Sequence, residues 1–451
     1  MIQSGRYALV NTARSYRNQN QKFMVIRKKI LLRIAVGGMA YIVWFLACLS
    51  YIYGSLYLSP GRHAAFHVLA VDYDKGAVGQ ALQVAYTQLK GPGFVTLDFR
   101  SPSAYPTEAD MFHAVWRGDY WASVAITEGA SERLSAALQG GEAAATYDQS
   151  TALHYVWDQQ YYTIYANTVV QRHMNQLVAA TRLAYSNING MQAMRIVNKT
   201  DQTAIQALLD PIKATETNIH AAAFGSVVFM NTVSMVMAIL EQFFFLLTLN
   251  GIFGALNLYG RMTVLSSMCL RRLAGILFTF GAALCQSGYY WAFRENWEVN
   301  GSQFLLTWMA VWLLMQIHLL VMDSISTTAP PAAMPFVVLF WITLNNASAA
   351  SPLDIQTGFY KWSIILPSHE AYSVLVTIWT GGAHNQVYRA LPILFSWWIV
   401  ANITASLAHI RACHLAYQLH RKQDTKRSAH RDVEAGLPLT SRKEDLTSNQ
   451  K

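Results

Sequence analysis

The stretch IAVGGMAYIVWFLACLSYIYGSLYL, residues 34–58, is 25 consecutive residues without a formal charge. A helix crosses a bilayer with about 20 apolar residues, so this one spans with some tilt. Outward from it the chain divides sharply. Residues 59–222 read as a water-soluble insert, and apolar residues then dominate from Ala223 to Ile410. This layout predicts an α-helical polytopic membrane protein with six transmembrane helices, divided one plus five. A small α/β extracellular domain and a long helical stalk lie between the first and second spans.

Charge gives the layout a direction. Residues 1–33 carry eight Lys or Arg and no Asp or Glu, the flank expected on the cytoplasmic side of a first span. A cleaved signal peptide has an apolar core of only about 7–15 residues behind a short basic region, so an uncleaved anchor is the expectation. The insert holds 11 basic and 14 acidic residues, so the overall +9 belongs to the ends. The tail, residues 411–451, has nine basic against five acidic residues and reads as a mobile cytoplasmic segment. Beside membrane spans such basic ends speak for orientation and contact with the lipid bilayer, and no nucleic acid is expected as a partner. The four cysteines all lie outside the insert, which must fold without disulfides.

The remaining spans are expected at Ala223–Leu256, Leu273–Phe293, Gln303–Met322, Ala332–Ala350 and Ala390–Ile410. The first of these is longer than a bilayer needs and should protrude, tilt or break near Asn250-Gly251. Arg261, Arg271 and Arg272 read as a basic cytoplasmic loop. Residues 351–389 are too apolar for an ordinary loop and predict short interfacial or re-entrant helices rich in aromatics. A seventh span there is the alternative, and it would put the basic tail outside. Within the insert, strands are expected at 66–72, 93–99 and 120–126, with helices at 78–89, 107–116 and 131–138. From Thr151 to about Gly190 the pattern reads as wholly helical, the stalk.

Three sets of strings carry a family likeness. The first is Val71-Asp-Tyr-Asp-Lys-Gly-Ala-Val-Gly79 together with Gly118-Asp-Tyr-Trp-Ala-Ser-Val-Ala-Ile-Thr-Glu-Gly129. The second is Glu241-Gln-Phe-Phe-Phe-Leu-Leu-Thr-Leu-Asn-Gly251. The third lies in residues 335–367 and includes Trp341, Asn345, Pro352, Gly358-Phe-Tyr-Lys-Trp362 and Ser363-Ile-Ile-Leu-Pro367. With this layout the chain resembles the fungal nitrosoguanidine-resistance membrane proteins, relatives of the membrane half of ABC-2 type transporters and of the phage-infection protein. Ser363 and Ile364 stand where that likeness leads one to expect a small residue and an aromatic. The resemblance implies a multi-pass plasma-membrane protein that affects resistance to toxic compounds. It also implies a homodimer, as in transporters built from two such halves.

The sequence carries no G-x-x-x-x-G-K-[ST] phosphate loop, so an ATP-driven engine would be a separate partner subunit. HExxH, CxxC and GxSxG are absent too, and neither an enzyme, a metal site nor a cofactor is expected. Ser368-His369-Glu370 has triad residue types, but sequence neighbours seldom point at one another. Glu241 is the residue that invites a function. A carboxylate in mid-membrane is expensive and faces a bundle interior or watery cavity, where it suits proton coupling or a cationic substrate; the structural reading is a bridge to another span. Gln242 reads as glue between helices. Asn345 and Asn346 could line a path or cap a broken helix before Pro352, capping being the simpler reading. His318 and His409 read as packed histidines. Asn198-Lys-Thr is the useful glycosylation sequon if the insert is lumenal. Together these features lead one to expect a mover or extruder of amphipathic compounds or lipids. The rival is a scaffold or sensor of lipid state.

Overall fold

In the computed structural model, which describes residues 2–434, the first element α1 (Ile2–Ser55) is one uninterrupted helix. No proline occurs before Pro60, and the helix ends just before Leu58 turns to left-handed backbone with φ 55°. Its membrane-length part is Arg27–Ser55.

The insert folds as a five-stranded sheet with helices. In chain order these are β1 (His67–Asp72), α2 (Ala77–Leu89), β2 (Thr96–Arg100), α3 (Glu108–Arg117), β3 (Ala122–Ile126), α4 (Ala130–Gln139) and β4 (Leu153–Trp157). They are followed by α5 (Arg172–Ile196), α6 (Gln202–Leu209) and β5 (Ala214–Asn218). The strand order is β2-β1-β3-β4-β5; β1 is parallel to both neighbours, β3 and β4 are antiparallel, and β5 is parallel to β4. β1 and β3 are buried on both faces, which is why their sequences run apolar instead of alternating. The strings Val71–Gly79 and Gly118–Gly129 lead into a clasp at the end of β1. Asp72 Oδ1 accepts the backbone N–H groups of Asp74 and Lys75, and Asp74 accepts the backbone N–H and hydroxyl of Ser131. Gly79 packs on the Asp72 carboxylate with no room for a Cβ. The clasp fixes the starts of α2 and α4 to the sheet.

Two expectations for the insert fail. Residues 151–190 are not wholly helical, because Leu153–Trp157 is β4. Its side chains are buried on both faces, so it shows no alternation to mark it as a strand. Nor is α5 a stalk. It buries Met174, Leu177, Ala184 and Tyr185 in the domain core and packs along α2, and the chain returns through α6 and β5 before entering the second span.

The membrane part comprises α7 (Val233–Ala255), α8 (Val264–Ala292), α9 (Gly301–Ser326), α10 (Met334–Ala349), α11 (Pro367–Trp379) and α12 (Val387–Glu434). Among the described residues six helices are long and apolar enough to cross a membrane: α1, α7, α8, α9, α10 with its leading turn, and α12. α7 starts ten residues later than Ala223 and continues through Asn250-Gly251 without a break. Arg271 and Arg272 are not in a loop but inside α8. α12 does not stop at Ile410; it stays helical to Glu434, and residues 435–451 of the expected mobile tail lie outside the described residues.

Between α10 and α12, the short 3-10 helix Gly358–Ile365 turns Phe359, Trp362 and Ile365 outward, as an interfacial segment would. α11, by contrast, is enclosed by the bundle. Its 13 residues extend only about 20 Å, and nearly all are buried against α9, α10 and α12. α1 stands at the edge of the bundle. Trp44 donates its indole N–H to the Phe336 carbonyl at 2.9 Å, Tyr41 stacks on Phe336 at 4.4 Å, and Tyr51 meets Tyr360 edge-on.

Domain and bundle interlock in both directions. Ile355, from the loop after α10, is fully buried in the domain core, and Tyr162, which follows β4, is buried in the bundle core. Beside them Asp158, 1% exposed, accepts hydrogen bonds from His220 Nδ1 at 2.9 Å and from His384 Nε2 at 3.0 Å. His384 precedes α12, and its backbone N–H is donated to the Trp116 carbonyl at 2.9 Å. Burial pushes the Asp158 carboxyl up, but the hydrogen bonds and charge of the two histidines outweigh burial and hold it well below the usual carboxylate range. A group depressed in the folded state contributes stability above its unfolded pKa of about 3.9, and loses it as the pH falls through the folded value. Acidification below about pH 4 should therefore loosen the domain from the bundle, read as faster proteolysis of the connector 219–232. Asp158→Asn should loosen it at neutral pH and flatten the response.

Candidate functional site

Polar groups are buried along the whole height of the bundle, starting at its domain end. Gln286 of α8 donates to the Ser234 carbonyl of α7 at 3.2 Å and to the Tyr290 hydroxyl at 2.7 Å. Two residues apart on α9 lie two more links. Gln316 donates to Thr279 Oγ1, which also accepts from Trp312, and His318 accepts from Trp341 at 3.0 Å. At the far end, Arg271 of α8 makes a buried ion pair with Asp323 of α9. Its Nε is 3.0 Å and its Nη2 2.5 Å from Oδ1, Nη2 also reaches Asn250 of α7 at 2.6 Å, and the guanidinium lies over Phe253. A cavity of about 20 Å³ adjoins the pair. It has room for about one water.

The expected site residues do not form one group. Among the described residues Glu241 is half-buried and its Oε2 has no hydrogen-bond partner. Gln242 is wholly buried on the next face of α7 with both amide atoms unpartnered. Gln242, expected as glue between helices, has no hydrogen-bond partner on another helix among the described residues. Asn345 does cap a helix, though not its own. Its Oδ1 accepts the Ser368 N–H at 3.2 Å, the first turn of α11, while its amide donates to the Trp341 carbonyl. Asn346 leaves Oδ1 buried and unpartnered. Asn198 is exposed just after α5, its Oδ1 accepting from the Thr200 hydroxyl at 2.7 Å. His318 and His409 are buried and hydrogen-bonded, His409 to Ser267 at 2.8 Å.

Ser368, His369 and Glu370 point to different partners: His318, the Ser348 carbonyl and Arg389. Among the described residues no group of His, Cys, Asp or Glu is placed to hold a metal ion.

The pair Arg271–Asp323 escaped the sequence reading because each residue lies just past the end assigned to its span. One clue was present: both spans can be extended by helix-favouring residues until the two charges enter the membrane-length segments.

One family model matches residues 38–403, and its description is "protein of unknown function", DUF3533. The chain belongs to this DUF3533 family. The match runs from within α1 to within α12, so the α/β domain and the bundle form one family unit. No solved structure matches the chain.

Removing one partner of a buried ion pair leaves an uncompensated charge, whereas replacing both by apolar residues of similar size is often tolerated. Arg271→Met alone should cost about 3–5 kcal/mol. Adding Asp323→Leu should recover most of that loss, measured as unfolding of the detergent-purified protein in a double-mutant cycle.

Proposed function

We propose that this chain moves or extrudes amphipathic compounds or lipids across the membrane in which its six spans lie, without an ATPase of its own. The observation that carries the reading is the number of buried polar atoms in the bundle that find no partner among the described residues. Arg271, Asp323 and Asn250 tie the far end with Arg271 Nη1 left over, and Glu241, Gln242, Gln286, Ser287 and Asn346 each keep at least one buried polar atom without a partner among the described residues. An orphaned buried polar atom costs about 1–3 kcal/mol, so a fixed scaffold has no use for several of them in one bundle. A path whose polar groups find partners in passing cargo, water or a second arrangement of the helices does have a use for them.

The likeness to the nitrosoguanidine-resistance and ABC-2 membrane proteins supports the same reading, with drug resistance as the consequence and a homodimer or separate engine subunit as partner. By the charge rule both termini face the cytoplasm of a fungal cell, the α/β domain lies outside, and the plasma membrane is the expected location.

In liposomes holding the purified full-length protein, a proton gradient should drive movement of a fluorescent cationic amphiphile. Glu241→Gln should abolish the gradient-dependent part while leaving the fold intact. No flux across a broad amphiphile panel from folded protein would instead favour the sensor reading. Orientation has its own check. Asn198 should carry an endoglycosidase-sensitive glycan when the protein is expressed in a secretory membrane, and Asn198→Gln should remove the mass shift.

A further inference from the structure

A cavity of about 190 Å³ lies where the α/β domain meets the domain end of α12, apart from the seam of polar groups within the bundle. Several segments build it. Tyr161 and Tyr162 follow β4, Asp354 comes from the loop after α10, His369 and Tyr372 come from α11, and Arg389 from the first turn of α12. Their convergence depends on the interlock, because the Asp354 loop is the one that inserts Ile355 into the domain.

The cavity presents charges of both signs. Arg389 faces Glu370, which is fully buried, through Nε at 3.1 Å to one oxygen and Nη2 at 3.3 Å to the other. Nη1 is not used by that carboxylate, and about 30% of the Arg389 side chain is exposed. His369 gives Nδ1 to the Ser348 carbonyl at 2.9 Å, which leaves Nε2 uncommitted. Asp354 supplies a carboxylate to the same space. Both charges act on one phenol: the pKa of Tyr161 is raised by burial and then by Asp354, while Arg389 opposes. The aromatic wall is ordered, with Tyr162 edge-on to Tyr372 at 5.0 Å and to Tyr161 at 5.2 Å. His384 stacks on Tyr161 at 4.1 Å, so the Asp158 clamp holds the wall in place.

A simple anion would meet Arg389 but also two carboxylates, and a simple cation would meet the guanidinium. A head carrying both charges answers both. The free edge of a guanidinium fork suits a phosphate or carboxylate, and a carboxylate beside tyrosine rings suits an ammonium. We infer that this cavity binds the zwitterionic head of an amphiphile, its anionic group on Arg389 and its ammonium between Asp354 and the tyrosines. Leu353, Ile364 and Val376 supply the apolar part of the lining. Ile364 belongs to the 3-10 helix whose Phe359 and Trp362 face outward, so a hydrocarbon chain attached to the head leaves toward lipid along that wall. The inference deepens the transport reading by naming the head of the cargo, and rests on it only for what happens after binding.

Equilibrium binding tests it without any flux. Full-length protein in maltoside micelles is titrated calorimetrically with hexylphosphocholine, hexyltrimethylammonium, hexyl phosphate and glycerophosphocholine. The zwitterionic amphiphile should bind saturably and more tightly than either singly charged one. Arg389→Gln and Asp354→Asn should each weaken it about tenfold or more, Arg389→Gln bringing it to the level of the trimethylammonium probe. Because Arg389 also holds Glu370, Arg389→Lys is the second variant; it keeps a cation beside Glu370 but loses the fork, and should weaken binding with unfolding unchanged. Glycerophosphocholine binding as tightly as the hexyl compound supports a water-soluble zwitterion as ligand, and weaker binding supports a lipid. Equal affinity for the singly charged probes, or indifference to all three substitutions, overturns the inference. Binding that survives in protein showing no flux leaves the site standing and removes only the transport reading.

Discussion

Everything in this molecule is referred to one mutual insertion: Ile355 of the bundle buried in the domain, and Tyr162 of the domain buried in the bundle. Each core is incomplete without a side chain from the other. Burying an aliphatic or aromatic side chain is worth about 1.5–3 kcal/mol, so the two insertions alone resist separation. The hydrogen bonds from His220 and His384 to Asp158 add direction to that attraction. They fix the rotation of the domain over α12 as well as its distance, and so place Arg389 opposite the tyrosines.

Below this joint the bundle follows a different logic. Apolar packing discriminates poorly among helices surrounded by lipid, so specificity falls to small residues and polar links. Arg271, Asp323 and Asn250 tie three helices at one end, and Gln286 ties two of them at the other. Between those fastenings Gln316 is linked to Thr279 and His318 to Trp341, while Glu241 Oε2 and the Gln242 amide have no partner among the described residues.

The sequence disclosed what depends on local pattern and concealed what depends on contact between distant segments. Uninterrupted apolar runs placed all six spans to within a few residues at most ends, because lipid imposes length and composition directly. The strands β1 and β3 and the helices α2, α3 and α4 were legible for similar reasons, α3 through its Thr107–Asp110 capping box. β4 was hidden by burial on both faces, and β5, Ala-Thr-Glu-Thr-Asn, by having too little apolar character to stand out from a loop. Glu241 could be singled out from one charge in an apolar run. Asp158, His384 and Arg389 could not, since they are separated by up to 231 positions and mean something only when the loop after α10 has reached the domain.

The attachment of α1 has a temporal side. Its fastening runs from Trp44 to Phe336, 292 positions later in the chain. At about 5–20 residues per second of synthesis, the first helix waits in the bilayer for roughly 15–60 s before its partner exists. Over the same interval the domain it leads into is made entire yet lacks Ile355. Assembly of this protein therefore closes from the carboxyl-terminal half backward, and a nascent chain arrested before residue 355 would hold a sheet whose core still has an unfilled place.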